Sequence, residues 1–265
     1  MSSRIDKYTV PGAIIVMHVS IPSTDPAHLQ QIIDKLKGMG YGFVSPWQAV
    51  TRNAIRAKYL AAGGSASAFG AATTAELTAT TSGTAVQWFQ RGRIYYSPAT
   101  GTHFVWNGIL AKYQAMGTVT SVLKFPTTDE VTGAGGGWYN RFQGGSIYWL
   151  AATGGHAVQG GIHTKYLSMG GEGSFLGYPK SDETKLTGGY GSQFQHGNIY
   201  WTASTGAHEV HGAILAKYLS LGGMSSKLGA PASDEYSVSV GRRSNFAHGA
   251  IVWNAGTGTI TVIYS

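Results

Sequence analysis

The chain has 265 residues, enough for one large domain or two small ones and ample for a buried core. Only 12% of its residues are charged, about half the usual share, while 39 are glycine and none is cysteine. Disulfide and thiolate chemistry are thereby excluded. The basic residues behind the +7 net charge are scattered, with Arg242–Arg243 the one tight cluster, so they mark no nucleic-acid footprint.

In chain order, residues 12–18 form a continuous apolar run ending in His18, the pattern of a strand buried on both faces. The run is too short to span a membrane. Residues 24–38 predict a helix: Thr24 or Asp25 as N-cap, Pro26 in the first turn, Leu29, Ile32, Ile33 and Leu36 in one stripe, Gly38 and Gly40 as the stop. Residues 41–50 predict a second strand. Together residues 1–50 read as one β-α-β unit.

Gly12-Ala13-Ile14-Ile15-Val16-Met17-His18, Leu36-Lys37, Gly40-Tyr41 and Phe43-Val44 resemble the C-terminal end of the polysaccharide deacetylase family. The resemblance implies that His18 stands where that family keeps its catalytic acid histidine. Such catalysis needs a metal-bound water held by an Asp and a His-x-x-x-His pair, and no His-x-x-x-His occurs in the chain. The segment therefore reads as a remnant, His18 as vestigial, and neither a metal site nor a cofactor is expected. The alternative is the tail of a metal-dependent deacetylase whose catalytic part is missing.

From residue 53 onward one period dominates. Phe89, Phe142, Phe194 and Phe246 are spaced 53, 52 and 52 residues apart. Each precedes a Gly-x-Ile-aromatic stretch: "GRIYYS", "GSIYWL", "GNIYWT", "GAIVWN". A Thr-Gly follows, then His103, His156 and His208 in three copies. Next come "ILAKYQAMG", "IHTKYLSMGG" and "ILAKYLSLGG", and then "FPTTDE", "LGYPKSDE" and "LGAPASDE". The Gly-x-Ile-aromatic stretch alternates about its Thr-Gly turn, which predicts a β-hairpin. Ile214, Leu215, Tyr218 and Leu221 predict a short helix stopped by Gly222-Gly223. One hairpin and one short helix cannot bury their own apolar faces, so the units must pack on one another.

The last copy stops half-way, while 53–76 matches the missing half. The expected fold class is mainly β with short helices: a closed, propeller-like ring of four ~52-residue units. Its units would be 89–141, 142–193, 194–245, and 246–265 completed by 53–88, all within a repeat domain at 51–265.

The tetrad Leu176-Gly177-Tyr178-Pro179, with looser copies at Leu228–Pro231, Lys124–Pro126 and Phe69–Ala72, resembles the LGFP repeat of actinobacterial envelope proteins. The resemblance covers about 53–265. It implies non-catalytic binding of cell-wall polysaccharide, arabinogalactan or peptidoglycan, and a place in the cell envelope or outside it. No signal peptide is visible in this chain. A structural or protein-binding ring is a further alternative.

The candidate ligand-binding residues are the hairpin aromatics Tyr96, Trp149, Tyr200, Trp201 and Trp253, whose faces alternate along each strand, and the turn histidines His103, His156 and His208. An exposed Tyr or Trp stacks on a sugar ring and offers its polar edge to a hydroxyl. The histidines equally suit locking each turn to its neighbour. "HEVH" at 208–211 is not a zinc signature, because a spacing of three on a strand sets its histidines on opposite faces. The repeated Glu76, Glu130, Glu183 and Glu235, mostly in Asp-Glu pairs, suit capping or bridges to Lys58, Lys112, Lys165 and Lys217 better than catalysis. No membrane span or nucleic-acid partner is expected, and the sequence leaves the oligomeric state unknown.

Overall fold

The computed structural model describes residues 25–40, 46–81 and 83–265, with side chains from 30, 54 and 83 onward in those stretches. The chain divides into two compact units, Met1–Ala54 and Ile55–Ser265.

In the first unit, α1 (Asp25–Gly38) runs where Pro26 and Gly38 predict it, with Leu36 buried and Gly40 at φ 87°. The strand expected at 12–18 with its His18, and the first half (41–45) of the strand expected at 41–50, lie outside the described residues. Residues 46–50, expected as strand, instead open a helix, α2 (Pro46–Ala61). Proline suits a first helical position because its fixed φ is helical and its missing N–H would be unpaired there anyway. Ala49, Arg52, Ala54, Arg56, Ala57 and Lys58 then favour helix, and this local propensity outweighs the short apolar run before it.

The second unit holds four antiparallel sheets, each a meander with its strands in chain order. Sheet 1 comprises β1 (Leu77–Thr78), β2 (Ala85–Trp88), β3 (Gly92–Ser97) and β4 (Gly101–Trp106). Sheet 2 comprises β5 (Val131–Thr132), β6 (Trp138–Phe142), β7 (Gly145–Leu150) and β8 (Gly154–Gln159). Sheet 3 comprises β9 (Thr184–Leu186), β10 (Gly189–Phe194), β11 (Gly197–Thr202) and β12 (Gly206–His211). Sheet 4 comprises β13 (Tyr236–Val238), β14 (Gly241–Phe246), β15 (Gly249–Asn254) and β16 (Ile260–Tyr264). Helices α3 (Asn107–Ala115), α4 (Gly160–Ser168) and α5 (Gly212–Ser220) follow the first three sheets. The predicted hairpin is thus the last two strands of a larger sheet.

Each of these helices is packed between its own sheet and the next. Ile162 and Tyr166 of α4 share one buried cluster with Tyr148 and Val158 of sheet 2 and with Phe194 and Ile199 of sheet 3. Ile109 and Tyr113 of α3 do the same between sheets 1 and 2, and Ile214 and Tyr218 of α5 between sheets 3 and 4. The three tyrosines are fully enclosed, at 0% exposure. Burying one such ring from both sides contributes roughly 2–3 kcal/mol, which is why no unit needs a core of its own.

The expected ring closure is not seen. Ile55 and Tyr59 of α2 pack with Phe69, Phe89 and Ile94 of the unit around sheet 1. No strand pairing or buried cluster joins them to sheet 4 among the described residues. Tyr59, the counterpart of the three enclosed tyrosines, stays half-buried, and Ile263 on sheet 4 stays exposed. The 53–76 segment matches the missing half-copy because it is a helix-and-turn of the same kind, and it covers the sheet that follows it.

The Leu-Gly-x-Pro tetrad positions each helix. Leu123, Leu176 and Leu228 are fully buried. The second residue is left-handed in every copy: Gly70, Lys124, Gly177 and Gly229 at φ 70°, 56°, 66° and 70°. Its carbonyl accepts the hydroxyl of the helix tyrosine eleven residues earlier: Tyr59 to Gly70, Tyr113 to Lys124, Tyr166 to Gly177, Tyr218 to Gly229. The proline then bridges to the repeated phenylalanine (Pro126 to Phe142, Pro179 to Phe194, Pro231 to Phe246) at the sheet margin, where its lack of an N–H is tolerated.

Candidate functional site

Two polar and aromatic constellations recur at the seams between units. The first holds the seam together. Asp129 pairs with Lys58, Asp182 with Lys112 and Asp234 with Lys165. The other carboxylate oxygen of each accepts a backbone N–H from the preceding sheet: Phe104 at 3.1 Å, Ala157 at 3.0 Å and Glu209 at 3.2 Å. The same oxygen faces His103, His156 or His208 at 3.4, 3.6 and 3.4 Å. Burial pushes these carboxyls up, yet the lysine, the backbone N–H and the histidine outweigh it, so all three sit below the usual carboxylate range.

The histidines therefore serve the turns. Nε2 of His103, His156 and His208 donates to the carbonyls of Thr100, Thr153 and Thr205 at 2.7, 2.9 and 2.8 Å. In the last copy Ile260 takes the histidine's place, and in the first copy Ala75 takes the aspartate's. The repeated lysines thus bridge to the aspartate of each Asp-Glu pair, one unit further along than the matching copy.

The glutamates turn inward. Burial pushes Glu130 up to about 7 against the opposing pull of the Trp106 indole, and raises Glu183, which accepts from Gln159. Glu235 accepts from Arg242 at 2.9 Å and faces His211 at 3.4 Å, while His211 bonds Glu209 at 2.7 Å. The "HEVH" stretch is thus part of an ion-paired seam, and no group of side chains suited to a metal ion occurs among the described residues.

The second constellation is aromatic. Tyr95, Tyr148 and Tyr200 face the following helix and are buried. Their neighbours Tyr96, Trp149, Trp201 and Trp253 lie on the opposite face and are half-buried. Trp149 sits on the start of α3 at Gly108, and Trp201 on the start of α4 at Gly161; a Cβ at either glycine would collide with the indole. Tyr96 and Trp253 pack at the edges of the clusters around α2 and α5. Of the candidate aromatics, Tyr200 is the one enclosed, its hydroxyl bonded by Asn198 at 2.9 Å.

Sequence reasoning missed the partners of these rings. Trp138 lies directly across from Trp149, and Tyr190 across from Trp201. The ring centroids are 5.5 and 6.2 Å apart at 44° and 42°. Trp138 and Tyr190 are each 37% exposed, so each pair presents an open aromatic step on its sheet. The outer units differ: Ala85 lies across from Tyr96, and Arg242 across from Trp253. The signal was the 52-residue spacing of Trp138 and Tyr190, hidden because their strand had not been recognised.

A family model of the LGFP repeat matches the chain four times, at residues 69–121, 123–174, 176–226 and 228–264. No curated protein matches it. The four matches coincide with the four tetrad-plus-sheet units and together cover most of its length: the chain belongs to the LGFP-repeat family.

Proposed function

We propose that the chain is a non-catalytic binder of cell-envelope polysaccharide, arabinogalactan or peptidoglycan, held at the cell surface by several weak contacts. The observation that carries this reading is the aromatic step repeated with one geometry on consecutive sheets, Trp138 with Trp149 and Tyr190 with Trp201. A tilted pair of half-open rings offers the apolar face a sugar ring stacks on, with an indole N–H or phenol at its edge for hydroxyls. Family membership points the same way, since LGFP repeats suggest association with the cell wall. The low charge supports it too, because a neutral polymer is read by stacking and hydrogen bonds. Each step alone is weak; two on one rigid stack raise avidity well beyond either.

Replacing Trp138 and Tyr190 together by alanine tests the reading, because both rings are half-open and neither belongs to a buried cluster. Retention on purified arabinogalactan or peptidoglycan should fall at least tenfold with the melting temperature little changed. Undiminished retention on both polymers would remove the aromatic steps as the binding surface.

A further inference from the structure

The space between sheet 3 and the segment after α5 is unlike its counterparts. On each sheet's second strand, across from Tyr95, Tyr148, Tyr200 and Val252 of the third, stand Val86 in sheet 1, Tyr139 in sheet 2, Gly191 in sheet 3 and Arg243 in sheet 4. A second contribution comes from the third tetrad residue of the next unit: Phe125 over sheet 1, Tyr178 over sheet 2, Ala230 over sheet 3. In sheet 2 both rings bear on Tyr148, Tyr139 at 5.6 Å and Tyr178 at 6.5 Å, and the Tyr178 hydroxyl reaches Ala134 at 2.7 Å. In sheet 3 both large residues are missing at once. Tyr200, the counterpart of Tyr148, loses both ring neighbours.

The result is an open groove of roughly 600 Å³, within the range of small-ligand sites. Its walls are Thr184, Leu186, Gln193, Asn198 and the Tyr200 edge on the sheet, and Leu219, Met224 and Ser225 opposite, with the Ser225 hydroxyl bonded across to Thr187 at 3.0 Å. Lys185 is the one charged residue lining it. Hydroxyls and amides of Thr184, Gln193 and Asn198 interleaved with the aliphatic Leu186, Leu219 and Met224 match a ring with a polar rim and an apolar face. A charged ligand would find no counter-ion beyond that lysine.

We infer that this groove is a binding site for one or two rings of a neutral oligosaccharide, seated beside Leu186 in the space that Tyr178 fills over sheet 2. The inference rests on the glycan-binding reading but assigns a separate, single site in the third unit. There the Asn198 amide, already bonded to the Tyr200 hydroxyl, keeps its carbonyl for a sugar hydroxyl, and Gln193 and Thr184 supply further donors and acceptors.

The test is calorimetric titration of the full chain with short arabinogalactan-derived oligosaccharides, in the wild type and in Gly191→Tyr and Ala230→Tyr. Each variant restores a ring that sheet 2 already accommodates, from opposite walls. A Cβ at Gly191 would displace the flexible end of Leu186, 2.8 Å away, and would pack on the Tyr200 ring at 3.1 Å. Both variants should keep the wild-type melting temperature to within a few degrees and lose affinity at least tenfold. Wild-type affinity in a folded variant from either wall would overturn the groove while leaving the aromatic steps standing. Loss of affinity only in the Trp138→Ala, Tyr190→Ala protein would do the same. A wild type that binds none of these oligosaccharides but binds an anionic peptidoglycan fragment would overturn the neutral ligand. A wild type that binds neither glycan would sink both this site and the reading it rests on.

Discussion

At the scale of single residues, two positions carry costs that substitution should expose. Lys124 is left-handed at φ 56° where the other three tetrads place glycine. That conformation costs a side chain roughly 1–2 kcal/mol, part of which a glycine gives back in unfolded-chain entropy. Lys124→Gly is therefore expected to stabilise the protein by about 0.5–1 kcal/mol, read from the urea midpoint at constant slope. Glu130 is the other. Its carboxyl titrates at about 7 in the fold against an ordinary 4.5, chiefly through burial. Between those values the folded chain holds a proton the unfolded chain has released, so this group's contribution falls as pH rises through that window. Glu130→Gln should flatten the curve: relative to wild type, its melting temperature should gain between pH 5 and pH 8. An unchanged difference across that range would show that Glu130 is ionised throughout.

At the scale of elements, the seam is the unit of stability. Tyr166 is closed between two sheets and bonds Gly177 at 2.6 Å. Tyr166→Ala should cost about 3–5 kcal/mol. Because neighbouring units lean on one another through such rings, it should also broaden the denaturant transition by uncoupling sheets 2 and 3. Asp129 joins Lys58 of one helix to the Phe104 N–H of the sheet beyond it. Partly exposed, its loss in Asp129→Ala is worth less, about 1–2 kcal/mol by chemical denaturation. These elements were unequally legible. The helix Gly212–Ser220 could be read because Ile214 and Tyr218 keep helical spacing and Gly222, at φ 104°, ends it. The inner hairpin could be read from strict alternation. β9 has three residues and β10 carries Gly189 and Gly191, so neither gives a period-two signal; β10 forms on the edge that β11 offers, and β9 on the edge of β10. With β10 went Tyr190, and in sheet 2 Trp138.

At the scale of the molecule, the repeat told how many units there are but not how the series ends. Matching 53–76 to the missing half-copy made a ring the natural expectation. In a ring α2 would pack on sheet 4 as well as on sheet 1; its Ile55 packs against Phe89 and Ile94 of sheet 1, and no buried cluster or strand pairing among the described residues joins it to sheet 4. The copies are also not equivalent. The aromatic steps belong to the two middle sheets, and the groove lines the third. The central claim is that this stack holds envelope glycan. Co-sedimentation of the intact chain with purified, protein-free arabinogalactan–peptidoglycan, challenged with soluble arabinogalactan or soluble peptidoglycan fragments, tests it most directly. The account predicts that the chain pellets with the wall polymer and is released by one of these soluble competitors. A chain left in the supernatant at every polymer concentration, or one released by salt alone and by neither competitor, would contradict it.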